Sequence, residues 1–193
     1  MRSAVIAAAL GVVLLAPATI ASAQNKAYDY RLLATSKTST MEKELNEAGD
    51  AGYQMKTVMG GETAFGGKET VAVVARTAGA KNRYQYKLLA TSKTSTMQKE
   101  IQEAADAGYD YKGQTVFDTL FGGQEVVVVM ERDSEHPTKG DLYKLLATSK
   151  TSTMEKELKE VGDAGYEALG MTVSKTLMGG KELVTITRRQ GSR

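Results

Sequence analysis

Leu32-Leu33-Ala34-Thr35-Ser36-Lys37-Thr38-Ser39-Thr40-Met41 returns without a change at positions 88–97 and 145–154. The copies are separated by 56 and 57 residues, and the surrounding sequence repeats in step with them. Upstream stand Tyr30, Tyr86 and Tyr143. Downstream come Asp50-Ala51-Gly52-Tyr53, Asp106-Ala107-Gly108-Tyr109 and Asp163-Ala164-Gly165-Tyr166, then Phe65-Gly66-Gly67, Phe121-Gly122-Gly123 and Met178-Gly179-Gly180. Self-similarity at a fixed period overrides what length alone suggests about domain number. The chain divides into a leader at 1–23, a first repeat at 24–78, a second with its flanking linkers at 79–137, and a third at 138–193.

Each unit reads as strand, helix, strand, strand. In the first, Tyr28, Tyr30, Leu32 and Ala34 alternate with Asp29, Arg31 and Thr35, the period of a strand. Ser39 followed by Glu42, Ser95 by Gln98, and Ser152 by Glu155 has the spacing of a capping box at a helix start. Apolar residues then recur at helical spacing: Met41, Leu45 and Ala48; Met97, Ile101 and Ala104; Met154, Leu158 and Val161. One stripe per helix is expected to face a sheet, with Leu32 and Met41 in the core. Gly52, Gly108 and Gly165 suit the left-handed position that ends a helix, letting the next tyrosine fold back on the last turn. The Gly-Gly pairs predict a tight hairpin into a third strand at about 68–76, 124–132 and 181–189.

The fold class is therefore α+β: three tandem β-α-β-β repeats, each a three-stranded sheet in the order 2-3-1 with one helix on a face. Strands one and two should run parallel, both antiparallel to strand three. Val71/Val73, Val127/Val129 and Val184/Ile186 are apolar in every third strand. The opposite face varies from Thr70/Ala72/Val74 through Val126/Val128/Met130 to Leu183/Thr185/Thr187. The central copy is apolar on both faces, so a neighbouring copy is expected to cover it. A unit of roughly 50 residues buries only about 60% of its surface alone. The linkers at 77–83 and 133–140 reach at most about 25–29 Å, which keeps the copies adjacent.

Met1-Arg2-Ser3, the apolar run at 4–16, Pro17 and Ala21-Ser22-Ala23 have the layout of a secretory signal cut before Gln24. The apolar run is short for a bilayer span, which needs about 20 residues, so no membrane insertion is expected. The predicted compartment is the periplasm or exterior of a bacterium. Losing Arg2 with the leader takes the formal charge from +2 to +1. A nucleic-acid partner is not expected, because such partners need a concentrated basic field. The chain has no cysteine, which removes disulfides, thiol catalysis and thiolate metal sites.

The order Tyr-x-Tyr-Lys-Leu-Leu (Tyr84 to Leu89), a helix carrying Glu-Leu-x-Glu (Glu44 to Glu47), then Gly-Tyr and a hairpin into a Val-rich strand resembles the small bacterial domain of unknown function 4177. The resemblance covers one unit, three times over. That family usually has Gly-Trp-Glu after the helix, where this chain has Gly52-Tyr53-Gln54, Gly108-Tyr109-Asp110 and Gly165-Tyr166-Glu167. The resemblance implies a fold; it implies no activity, cofactor or catalytic residue.

No catalytic residue, metal ligand or cofactor site is expected. His136 lies beside Pro137 in a linker of one copy and lacks the repeated partners that general-base or metal chemistry needs. Ser-Lys-Thr-Ser lacks the glycines of a phosphate loop. Glu69, Glu125 and Glu182 read as solvated edge charges. Asp50, Asp106 and Asp163 meet the negative end of a helix dipole, which calls for compensation by Arg76, Arg132 and Arg189 or by Arg31, Lys87 and Lys144. The sharpest candidates are Ser36, Lys37 and Thr38, Ser92, Lys93 and Thr94, and Ser149, Lys150 and Thr151, which run from a strand end into a helix N-terminus. Strand two has diverged to Gln54-Met55-Lys56, Asp110-Tyr111-Lys112 and Glu167-Ala168-Leu169 while these loops stayed identical. Exposed polar loops ordinarily change at least as fast as strands. The expectation is a non-enzymatic binding module whose three loops engage a protein or another repetitive ligand. Small-anion binding at the same loops is the alternative, and an enzyme of unrecognised type comes third.

Overall fold

The computed structural model describes residues 27–62, 67–118, 124–175 and 180–191. The expected leader and the expected Gly-Gly turns lie, wholly or in part, outside the described residues. The elements run β1 (Tyr28–Thr35), α1 (Thr38–Asp50), β2 (Gln54–Glu62), β3 (Lys68–Thr77), β4 (Tyr84–Thr91), α2 (Thr94–Asp106), β5 (Asp110–Asp118), β6 (Gln124–Asp133), β7 (Leu142–Thr148), α3 (Thr151–Asp163), β8 (Glu167–Lys175) and β9 (Lys181–Arg189). They form three sheets of order β1-β3-β2, β4-β6-β5 and β7-β9-β8, with the third strand of every unit in the middle and antiparallel to both neighbours. This is the expected order. Each second strand carries a bulge at the same place, between Met55 and Thr57, Tyr111 and Gly113, and Ala168 and Gly170.

The helix ends are as the glycines predict. Gly52, Gly108 and Gly165 have φ near +80°. The Gly52 N–H donates to the Gly49 carbonyl and the Tyr53 N–H to that of Ala48, the Schellman pattern, repeated in both other units. The starts differ from expectation. Lys37, Lys93 and Lys150 occupy the N-cap with extended backbone and no side-chain cap bond, so Ser39, Ser95 and Ser152 lie inside the first turn and close no capping box. Thr35 pre-empts the loop: its hydroxyl accepts from the Lys37 N–H at 3.2 Å, as Thr91 does from Lys93 and Thr148 from Lys150.

The acids and amides of the supposed boxes have other work. Glu42 accepts from the Leu88 N–H at 2.8 Å, and Gln98 bonds both the Tyr143 carbonyl and the Leu145 N–H. One turn on, Asn46 donates to and accepts from the backbone of Tyr86 in the next unit's first strand, and Gln102 donates to the carbonyl of Asp141, just before that strand, and accepts from the Tyr143 N–H within it. Each of the first two helices is thus bonded to the following sheet. One core joins α1 (Met41, Leu45, Ala48) and the first sheet (Met55, Val58, Ala72, Val74) to Tyr86 and Val129 of the second unit. Another joins α2 and Val126, Val128 and Met130 to Tyr143, Val184 and Ile186 of the third. The three units form a stack, and all five residues from Val126 to Met130 are buried, as the two-faced apolar strand predicts.

Leu32 corrects an expectation. It is 67% exposed: its counterpart Leu88 packs against the core that α1 builds, and among the described residues no helix stands before the first sheet to do the same for Leu32. No helix among the described residues is long and apolar enough to cross a membrane.

Candidate functional site

The three loops lie along one end of the stack. Thr35 pairs with Thr70 near the β2–β3 connection, so each loop sits at the hairpin end of its sheet. These ends are joined from unit to unit: Lys68 pairs with Asp118 at 3.6 Å, and the Lys175 N–H donates to Gln124 at 2.7 Å. Ser36 and Lys37, Ser92 and Lys93, and Ser149, Lys150 and Thr151 are exposed, while Thr38 and Thr94 are half-buried. The Lys37 carbonyl accepts from the Thr40 and Met41 N–H groups, leaving those of Thr38 and Ser39 to the solvent side of the first turn. No acid stands in the first turn of any of the three helices, so the positive dipole end is not neutralised there. The structure brings together the three residues within each loop and aligns the loops in a row. It does not converge them on one cavity.

At the opposite end lie the linkers and the open clefts. Asp133, Glu135 and His136 offer three ligand atoms within 4.8 Å of one another. A protein cation already fills that cluster, since Arg83 bonds Asp133 Oδ1 at 2.6 Å, pairs with Glu135 at 2.9 Å and lies 2.9 Å from His136 Nδ1. The guanidinium hydrogen bonds hold the Asp133 carboxyl at about 2, below the usual carboxylate range. A cleft of about 730 Å³ beside it is lined by Asp110, His136, Asp141 and Arg188 among others. Two of these charges engage each other: Arg188 bonds both oxygens of Asp110, at 2.7 and 2.8 Å.

The compensation expected for Asp50, Asp106 and Asp163 takes another form. Arg76, Arg132 and Arg189 donate to the carbonyls of Ala51, Ala107 and Ala164, which neutralises the helix C-termini through the backbone. Gln102 donates to the Asp106 carboxylate at 2.9 Å. The two rows of bases instead enclose the tyrosines after the helices: Arg31 and Arg76 lie 4.5 Å from the Tyr53 ring, Lys87 and Arg132 flank Tyr109, and Lys144 and Arg189 flank Tyr166. The three-fold recurrence of both rows carried that signal, but strand pairing was needed to see which group they share.

Sequence reasoning missed the tyrosine nodes between units. The Tyr86 hydroxyl accepts from the Met55 N–H at the first bulge and donates to Glu131, both at 2.8 Å. Tyr143 repeats this with the Tyr111 N–H at 3.0 Å and the Asp110 carboxylate. Burial pushes both phenols well above the ordinary tyrosine range, and pushes Tyr111 up to about 12. Comparison with family models, curated proteins and solved structures found no match to this chain.

Proposed function

We propose that this is an exported, non-enzymatic binding protein in which Ser36-Lys37-Thr38, Ser92-Lys93-Thr94 and Ser149-Lys150-Thr151 act as three equivalent contacts for one repetitive partner. The observation that carries the reading is the row of identical exposed loops along a single end of the stack. Each loop offers an ammonium, hydroxyls and helix N–H donors, a set suited to acceptor oxygens at regular spacing. Three weak contacts on one rigid body gain by avidity, by as much as about 10²–10⁴ over one. Each unit is proposed as a relative of domain of unknown function 4177, with Tyr at the place of its tryptophan.

Retention on immobilised heparin, used as a repetitive anion, tests this with Lys37→Ala, Lys93→Ala and Lys150→Ala singly and together. The single variants should each weaken binding severalfold and the triple far more than threefold. The second reading, small-anion binding at each loop, is favoured by the uncapped helix starts without first-turn acids. Inorganic sulfate should then raise the melting temperature by an amount that falls in equal steps as the lysines are removed. Unchanged retention of the triple variant, with no sulfate effect, rejects both readings.

A further inference from the structure

The stack has two unlike ends. In the first unit, Tyr28, Tyr30, Leu32 and Met59 are 50–67% exposed. In the second and third, Tyr86 and Tyr143 stand where Tyr30 does and are 3 and 4% exposed, covered by the preceding helix and sheet. At the far end the helix side of the third unit has no following sheet among the described residues, and Met171 and Val173 are 57 and 55% exposed. We infer that these ends bind each other between copies: the outer face of unit one in one chain docks on the α3–β8 face of unit three in another, repeating the contact that joins units one and two.

Four features of the internal contacts recur at the free ends. Tyr30 supplies the hydroxyl of Tyr86 and Tyr143. Ala168 precedes the bulge as Met55 and Tyr111 do, with Glu167 in the place of Asp110 as the carboxylate. Glu155 holds the position from which Glu42 accepts the Leu88 N–H, and would take that of Leu32. The fourth is Gly162. A Cβ on its counterpart Gly49 would lie 2.2 Å from the Tyr84 carbonyl oxygen, so the first interface needs glycine there. The second interface has Ala105 and Asp141 at those positions. A Cβ on Gly162 would meet nothing within 4 Å in its own chain, yet a glycine inside a helix costs about 0.5–1 kcal/mol relative to alanine. The residue that would face it in a second copy is Tyr28, the counterpart of Tyr84. Glycine thus stands opposite tyrosine in this pairing as in the first interface.

Lys159 is a departure. It replaces Asn46 and Gln102 and can donate but not accept, and it pairs with Glu155 at 2.7 Å in the free chain. The contact between copies is therefore weaker than those within the chain, and assembly depends on concentration. Unlike surfaces that meet head to tail form an open series when the rotation does not close.

Sedimentation velocity on the purified protein over rising concentration should show mass increasing in whole-chain steps with increasing elongation. Gly162→Val should weaken association by about tenfold or more without lowering the melting temperature, and Tyr30→Ser, at an exposed site, should do the same. The chain has no cysteine, so a Leu32→Cys, Glu155→Cys double variant should give a ladder of disulfide-linked oligomers that neither single variant gives. A monomer at every concentration overturns the inference. So does association untouched by Gly162→Val, or disulfide dimers from Leu32→Cys alone, either of which means that two copies meet through like faces of unit one.

Discussion

The junction between units one and two and that between units two and three use the same tyrosine and opposite charge arrangements. At the first, the carboxylate is Glu131, on the same unit as Tyr86, and Gln54 and Lys112 bond it at 2.8 and 2.9 Å. At the second, the carboxylate is Asp110, on the unit before Tyr143, and the residue at the Glu131 position is Arg188, which bonds it. The acid has changed sides. The node survives because the positions of Gln54 and Asp110 face those of Glu131 and Arg188 across the junction, so either strand can bring a carboxylate to the hydroxyl. What the stack requires is a buried phenol with a carboxylate and a bulge N–H. The donor of that carboxylate is free to vary.

The largest expected effect breaks the comparison with the exposed first copy. Tyr86→Ala and Tyr143→Ala should each cost about 3–5 kcal/mol by denaturant unfolding, the ordinary loss for a buried aromatic. Tyr30→Ala should stay within about 0.5 kcal/mol in the monomer, since the residue is 63% exposed. Equal costs at all three sites would mean that the junctions do not stabilise the stack.

Arg188→Met against Lys112→Met separates the two charge arrangements. Arg188 is 16% exposed and serves Asp110, Asp141 and Glu167, so its loss leaves Asp110 with the Tyr143 hydroxyl and the Tyr111 N–H but no cation, and should cost about 2 kcal/mol after allowance for partial exposure. Glu131 keeps Gln54 and Tyr86 when Lys112 is lost, and the cost should be below about 1 kcal/mol. The reverse order would show that the first junction depends more on its charge.

Titration gives the smallest effects and sharpens the contrast between junctions and linker knot. Tyr86, Tyr111 and Tyr143 are raised by burial, so the unfolded chain loses phenolic protons first. Stability from them is full below about pH 10 and falls as pH rises from there through 12 and beyond. Asp133, held at about 2 by the Arg83 hydrogen bonds, contributes above the ordinary value near 3.9 and loses that contribution as pH falls from about 4 to 2. Tyr143→Phe should shallow the alkaline limb and Arg83→Met the acid limb, each read from denaturant midpoints across pH. An acid limb unchanged in Arg83→Met would reject the knot as its source.

The repeated sequence determined the number of units, the strand order, the Schellman ends at Gly52, Gly108 and Gly165, and the burial of the central Val126–Met130 run. Each rests on periodicity or on the conformational range of a single residue type, both local properties. It misassigned Glu42 and Gln98, because Ser-x-x-Glu has the same spacing whether the acid turns back to its own helix or forward to the next sheet. It placed Leu32 in a core, because a strand's alternation names its apolar face without saying whether anything covers it. The nine loop residues were legible as a set; their alignment along one end was not, since that depends on how the units stack.

The sequence by itself determined what each unit is, since turns, stripes and alternation act within a few residues of the chain. Only the tertiary structure decided what each unit touches. The tyrosine nodes and the cation-flanked Tyr53, Tyr109 and Tyr166 all join groups from different strands or different units. Identical residues such as Tyr30 and Tyr86 end up 63% and 3% exposed for one physical reason: burial is set by the neighbour that arrives across the interface, and among the described residues only Tyr86 has such a neighbour.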